Sequence, residues 1–267
     1  MTTISAPTPT FSSDRLRVTT KRAVRSEWIK LRTMRSSWIT AGAVTFVVAA
    51  FGIVAASTTR SADLTAAKAF SVTLGGAGLA VLLVGALGAL VGAREFGSGM
   101  IRTTAAALPR RSRIVLAKSV ALTALLAPAV ALGVLTAAVV GSSVQRSAGI
   151  TTLALTDPLA LRAMGGNVVY LVGIALIGMA VGIVLRSVAG SVASVIGVVL
   201  VLPSILAAVL PSSWDGVLDA LPAAAGDALT TITGGAPMSP SAGLVDFLAW
   251  VVLALAGAAA VLTRRDI

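Results

Sequence analysis

Six long apolar runs divide this chain of 267 residues, and nearly all of its charged residues lie outside them. A helix needs about 20 apolar residues to cross the roughly 30 Å hydrocarbon core of a bilayer. Charge, Pro or Gly/Ser clusters bound every run. The pattern predicts an all-α, polytopic membrane protein whose transmembrane domain, residues 38–267, has six transmembrane helices, at residues 38–56, 70–93, 114–140, 167–185, 188–210 and 244–263.

The positions of lysine and arginine predict the orientation of these helices. An even number of crossings puts both termini on one side, and the segments on that side hold 17 of the 21 basic residues. Basic residues accumulate on the cytoplasmic side of membrane proteins. We therefore expect both termini in the cytoplasm (N-in, C-in) of a multi-pass cell-membrane protein, with residues 1–20 as a disordered cytoplasmic tail.

Composition excludes several classes of function. The chain is 57% hydrophobic and 12% charged, against roughly a quarter charged in soluble domains. Its net charge of +11 lies in gaps between apolar runs rather than on a folded basic face, so no nucleic acid is expected as a partner. Cys and His are absent, which removes disulfides, Cys/His zinc sites, thiol nucleophiles and the commonest general base. We expect no catalytic site, no metal site and no cofactor in this chain.

The segment just before the first run has an amphipathic pattern. Val24, Trp28, Leu31 and Met34 recur at spacings of three and four, while basic residues fill much of the remainder. The pattern predicts a helix over residues 21–37 that lies flat on the inner leaflet, with the lipid bilayer as its partner. The alternative is a plain basic flank. The residues assigned to the interfacial helix are Glu27, Trp28, Lys30, Leu31, Arg32 and Arg35.

The loop between the second and third runs reads AREFGSGMIRTTAAALPRRSRIVLAK. Gly97 and Gly99 loosen the helix that leaves the membrane, residues 100–108 can form a short helix, and Pro109 ends it before a basic cluster. A short helix held between two spans can act as a lever if a cytoplasmic partner binds it. A plain basic connector is the alternative.

These two segments resemble the permease subunits of type-2 ABC exporters of actinobacteria. The family has a Glu-x-x-Lys-Leu-Arg-Thr-x-Arg-Ser run before its first span, and Glu27 begins the matching run here. After the second span it has a Glu-aromatic-x-x-Gly-x-Ile-Arg-Thr-Thr run followed by Pro-Arg-Arg and a later Lys. Here that second run begins at Glu95, and Lys118 supplies the later lysine.

The resemblance implies a permease that moves a hydrophobic or amphipathic substrate outward. A separate ABC ATP-binding subunit would bind ATP and Mg²⁺, because this chain has no phosphate-binding loop. The complex would hold two permeases, as a homodimer or with a second permease, and two ATPases. The residues implied to contact the ATPase are Glu95, Phe96, Met100, Ile101, Arg102, Thr103, Pro109, Arg110 and Arg111.

Several questions stay open at this point. The Gly88-x-x-x-Gly92 and Gly178-x-x-x-Gly182 pairs predict close helix contacts, within this chain or with a second copy. Residues 211–242 form either short interfacial helices or a solvated loop. The substrate is unknown.

Two further functional classes are alternatives to an exporter. An ion-coupled secondary transporter usually has ionisable groups near the middle of the membrane, whereas Lys118 and Asp246 lie near span ends and can snorkel. A membrane scaffold or sensor without transport activity is the other alternative.

Overall fold

The computed structural model describes residues 19–60, 64–97, 111–209, 211, 214–235 and 238–264. Throughout this part of the chain the regular structure is helical, without a strand. Residues Gly197–Val201 form a π-helical turn. The helices are α1 (Thr20–Thr33), α2 (Arg35–Thr58), α3 (Ala66–Thr73), α4 (Gly76–Gly97), α5 (Ser112–Ser147), α6 (Pro158–Leu185), α7 (Val188–Ile196), α8 (Leu202–Val209), α9 (Asp215–Asp219), α10 (Pro222–Thr230) and α11 (Pro240–Arg264).

Six helical stretches in the described residues are long and apolar enough to cross a membrane. They are α2, α3 with α4, α5, α6, α7 with most of α8, and α11, and they overlap the six predicted runs one for one. The prediction of an all-α polytopic membrane protein is confirmed. The 36 residues of α5 give a length of about 54 Å, so this helix extends beyond the hydrocarbon core.

The bundle has α4, α5 and α6 at its centre, and α2, α7 with α8, and α11 are more exposed. Contact between α4 and α6 depends on glycine. A Cβ on Gly88 or Gly92 would collide with the backbone of α6, and one on Gly178 or Gly182 would collide with the backbone of α4. Both predicted small-residue pairs therefore face each other within this chain, where they let the two backbones approach closely.

Helix α1 packs against protein as well as presenting a polar face. Thr19 caps its start by accepting a hydrogen bond from the Arg22 amide, and Ala23, Glu27 and Leu31, spaced by four, form its buried face. A helix is present here, but it ends at Thr33, so residues 35–37 of the predicted helix, Arg35 among them, belong to α2. Its buried stripe also includes Glu27, whereas the sequence pattern places only apolar residues there. The difference arises because this face contacts α5 and the end of α4 instead of lipid alone.

The chain between spans five and six forms two short helices in its described part, α9 and α10. Ala225, Ala228 and Leu229 of α10 are buried, and Arg162 of α6 donates to the Thr231 carbonyl at 2.7 Å. This settles the open choice for residues 214–235 in favour of short helices over a solvated loop.

The two ends of the bundle can be named by the short helices that they hold. The α1 end contains α1, the end of α4, the start of α5 and the end of α11. The α10 end contains α10, the start of α6 and α3. Arg111 at the start of α5 donates to the Leu262 carbonyl of α11 at 2.9 Å, so the start of α5 and the end of the last described helix meet at the α1 end. The predicted tail lies outside the described residues apart from Thr19 and Thr20.

Candidate functional site

Four charged side chains from three helices meet at the α1 end of the bundle. Lys118 Nζ of α5 lies 2.8 Å from Glu27 Oε2 of α1 and 2.7 Å from Glu95 Oε1 at the end of α4. Lys30 Nζ, one turn after Glu27, lies 2.7 Å from Glu27 Oε1 and 2.9 Å from Glu95 Oε1. The four residues form a closed ring of alternating charge, which we call the charge cluster.

The charge cluster is largely withdrawn from water. Lys118 is 3% exposed, Glu27 5% and Glu95 7%, while the Lys30 side chain is about one-third exposed. Transfer of an ion from water into a protein interior costs several kcal/mol, and the ion stays charged only if partners replace its hydration. Two cations and two anions make the ring neutral, and each ammonium contacts both carboxylates. The arrangement is therefore stable only while α1, α4 and α5 hold their relative positions.

The electrostatics of Lys30 agree with this geometry. Burial lowers the pKa of Lys30, but its hydrogen bonds to Glu27 and Glu95 outweigh that effect, so the pKa is raised above its ordinary value. Lys30 therefore remains protonated at neutral pH and keeps both carboxylates partnered.

Local sequence explains how the charge cluster forms. Glu27 and Lys30 are three residues apart and share one face of α1. Lys118 lies in the second turn of α5 between the buried residues Ala117 and Ala121, which hold its stem against the bundle. The chain contains only two glutamates, and both are in this cluster.

The structure places two of the predicted residues differently from the sequence argument. The sequence predicts Glu95 as a charged contact for the ATPase and Lys118 as a lysine near a span end that can snorkel, whereas in the structure both side chains are buried and paired. Periodicity could not find this pairing, because 91 residues separate Glu27 from Lys118. The available signal was the rarity of glutamate in a chain where Glu95 and Glu27 each open a recognised run.

The other described residues of the second run lie near the charge cluster. Phe96 lies under the guanidinium of Arg186, whose Cζ is 5.1 Å from the ring centroid. Arg186 has φ of 56° and ends α6 in the left-handed conformation usually taken by glycine. Arg111 contacts the end of α11. The predicted helix at residues 100–108 lies outside the described part of the chain. So do the remaining residues predicted to contact the ATPase, which are Met100, Ile101, Arg102, Thr103, Pro109 and Arg110.

The remaining residues of the interfacial helix have two kinds of surroundings. Leu31 is buried, whereas Arg32 and Arg35 are exposed and Trp28 is partly buried. The Trp38 indole N–H donates to the Arg32 carbonyl at 2.9 Å, across the break between α1 and α2 at Met34. This bond fixes the angle at which the chain enters its first span.

A cavity of about 250 Å³ borders the charge cluster. Leu31, Met34 and Val91 provide its apolar wall, and Arg94 donates to the sulfur of Met34 at 3.1 Å. The cavity separates part of the end of α4 from α1 beside the charge cluster.

A second and larger cavity, of about 410 Å³, lies at the α10 end. It is bounded by α3, α4, α6, the π-helical turn and α10, and Asn167, Tyr170 and Asp227 line it. The Asn167 side-chain amide donates to the Ala163 carbonyl at 2.8 Å. Partial burial raises the pKa of Asp227 above its ordinary value.

Within the described residues, no group of three or more Asp and Glu side chains is arranged to hold a metal ion. The fold and the two sites define a multi-pass, all-helical membrane protein with a charge cluster at one end and a cavity at the other. Comparison with protein-family models finds no match, and comparison with curated proteins finds none either.

Proposed function

We propose that this chain is the membrane-spanning permease subunit of an ATP-driven exporter of the type-2 ABC class. The observation that carries the proposal is the charge cluster, which joins the two segments whose sequences resemble that family. Glu27 begins the first recognised run, Glu95 begins the second, and Lys118 contacts both. A partner that displaces the segment after α4 would thereby also displace α1 and α5.

The proposed mechanism is alternating access driven by a separate ATPase. The ATPase binds the segment that follows Gly97, and ATP-driven closure of two such subunits pulls on the end of α4. Because the cluster is buried, α4 cannot leave α1 and α5 without separating charges in a poorly solvated environment. The pull is therefore transmitted as a movement of α1, α4 and α5 together, and this movement opens the bundle toward the α10 end.

In this proposal both termini and the α1 end face the cytoplasm. The distribution of basic residues supports that orientation, since the predicted cytoplasmic segments carry 17 of the 21. The exposed basic residues of α1, among them Arg25 and Arg32, would then lie at the anionic headgroups of the inner leaflet.

The ion-coupled alternative receives less support. Acidic and basic side chains of the described spans lie within about two helical turns of a helix end, with Lys118 of α5 and Asp246 of α11 the farthest in. Ion-coupled transporters usually carry such groups near mid-membrane.

Purification of the tagged chain from its native membrane in mild detergent tests the proposal. The chain has no phosphate-binding loop, so ATP hydrolysis in the purified material must come from a partner. We expect a second polypeptide with such a loop and vanadate-sensitive ATP hydrolysis. If the folded chain is recovered without ATP hydrolysis under conditions that preserve membrane complexes, the exporter assignment is wrong.

A further inference from the structure

We propose that the cavity at the α10 end is a binding site for a monovalent organic cation with an apolar body, and that Asp227 is its counter-ion. The cavity is about 410 Å³, within the range of small-molecule sites in proteins.

Asp227 is the one charged side chain among the described residues that line this cavity. It is accessible through the cavity and has no basic residue within ion-pair distance among the described residues. Arg162, a basic residue near α10, donates to the Ala228 and Thr231 carbonyls and is not part of the lining. Asp227 is exposed to solvent and lines the cavity, and a carboxylate in this position without a protein cation beside it attracts a cationic ligand.

The aromatic ring of Tyr170 adds a second feature that suits a cation. Its centroid lies 5.3 Å from that of Phe247, and a Cβ on Gly226 would collide with the Tyr170 ring. Gly226 therefore lets the ring pack closely against α10, one residue before Asp227. Tyr170 and Asp227 both line the cavity, so a cation there meets a carboxylate and an aromatic side chain, the combination that proteins use for alkylammonium groups.

The rest of the lining separates polar and apolar parts. Ser71, Thr230, Thr231 and Thr233 place hydroxyl groups in the lining near the α10 end. Val81 lies ten residues beyond Ser71 along span two, about 15 Å deeper, and with Leu74, Ala77 and Val199 it forms an apolar floor. The cavity therefore suits a ligand with a charged part near Asp227 and an apolar part that extends into the bundle.

Binding of a cation at this site requires no partner protein. The inference that the bound cation is also the exported substrate rests on the proposed function. Under that proposal the α10 end faces outward, and the site lies on the side where an exporter releases its cargo. The chemistry of the cavity thus names a substrate class that the sequence did not provide.

Equilibrium dialysis with the purified, detergent-solubilised chain tests the site. The probe is labelled tetraphenylphosphonium, and the competitor is tetraphenylborate, which has nearly the same shape and the opposite charge. We expect saturable binding of the cation that unlabelled cation displaces and that tetraphenylborate does not. Equal displacement by the two ions, or the absence of saturable binding, overturns the proposal.

Two variants assign the binding to the cavity. Asp227→Asn keeps the shape of the side chain and removes its charge, and we expect it to weaken cation binding by at least about tenfold. Asp219→Asn in α9, outside the cavity lining, should leave binding unchanged. Unchanged binding in Asp227→Asn would show that Asp227 is not the counter-ion.

The outcomes for this site and for the exporter are separable. Dialysis uses the chain alone, whereas the exporter assignment depends on a co-purified ATPase. Cation binding without an ATPase leaves the site standing and removes export. A co-purified ATPase without cation binding supports the exporter assignment and overturns the cation site.

Discussion

Lys118 Nζ lies 2.8 Å from Glu27 Oε2, although the two residues are 91 positions apart in the chain. The same amine lies 2.7 Å from Glu95 Oε1, so one lysine of α5 holds a carboxylate from α1 and another from α4. Because these atoms are buried, separation of either helix from α5 leaves a charge without its partner in a medium that solvates it poorly. The cluster therefore makes α1, α4 and α5 a mechanical unit.

The first prediction concerns the lysine at the centre of this unit. Lys118→Met leaves Glu27 and Glu95 with Lys30 as their remaining cation in the cluster. Removal of one member of a buried ion pair destabilises proteins by roughly 3 to 5 kcal/mol, and we expect a loss of that size here. Denaturant unfolding in detergent measures it.

Two further variants make this test specific to the charge cluster. Lys68→Met removes an exposed lysine of α3 and should change stability by less than about 0.5 kcal/mol. The double variant Lys118→Met/Glu95→Gln removes one charge of each sign and should be more stable than Lys118→Met alone. Equal losses for Lys118→Met and Lys68→Met would contradict the structural role of the cluster.

Sequence reasoning recovered the spans but not the contacts between them. Apolar length and boundary residues suffice for the six helices, because each crossing must satisfy its own backbone hydrogen bonds. The small-residue pairs at Gly88 and Gly178 were also visible as a pattern. The sequence does not show which helix faces meet, because that depends on tertiary packing. The pairing of Glu27 with Lys118 and the cavity at Asp227 both join segments far apart in the chain, which local patterns cannot place.

The second prediction uses two glycines of α6 that have opposite surroundings. A Cβ on Gly178 would collide with the Gly85 carbonyl of α4, whereas a Cβ on Gly165 meets nothing within 4 Å. Gly178→Ala should therefore force α4 and α6 apart at a cost of roughly 1 to 3 kcal/mol. Gly165→Ala should be neutral or stabilising by up to about 1 kcal/mol, because alanine favours helix.

Thermal unfolding of the two alanine variants in the same detergent makes the comparison. A shared response, whether loss or gain, would mean that the close approach of α4 and α6 does not depend on Gly178.

The third prediction follows from the pKa of Lys30. Its hydrogen bonds to Glu27 and Glu95 raise this pKa above the ordinary value of 10.5. A cation whose pKa is higher in the folded state stabilises that state fully below the unfolded pKa, and the stabilisation is lost as the pH rises through the folded pKa. We therefore expect the contribution of Lys30 to be constant near neutrality and to fall above about pH 10.5.

Lys30→Arg provides the matched comparison, because a guanidinium stays charged at that pH. Unfolding measured from pH 7 to 11 should show a smaller alkaline loss for Lys30→Arg than for the wild type. Parallel curves over the whole range would show that deprotonation of Lys30 does not contribute.

The fourth prediction separates binding from folding at the second cavity. Partial burial raises the pKa of Asp227, so its charged form is less favourable in the folded chain than in the unfolded chain. At a pH above that raised pKa, Asp227 therefore lowers the stability of the fold. Asp227→Asn should be at least as stable as the wild type at pH 7, and any advantage should shrink as the pH falls toward 4. If the variant is instead less stable at pH 7, loss of cation binding could not be assigned to the missing charge alone.

The last prediction separates two residues of the second recognised run that sequence alone assigned to one surface. Under the proposed function Arg102 contacts the ATPase, whereas Glu95 lies in the buried charge cluster and would act on the partner through the position of α4. Arg102→Glu should reduce the amount of co-purified ATPase several-fold and leave unfolding of the permease unchanged. Glu95→Gln should lower stability, yet the folded fraction should retain the ATPase in the wild-type ratio.

Arg25→Gln, on the exposed face of α1, is the control for general loss of basic charge. If folded Glu95→Gln loses the ATPase as completely as Arg102→Glu does, then Glu95 itself contacts the partner and the cluster must open when the complex forms.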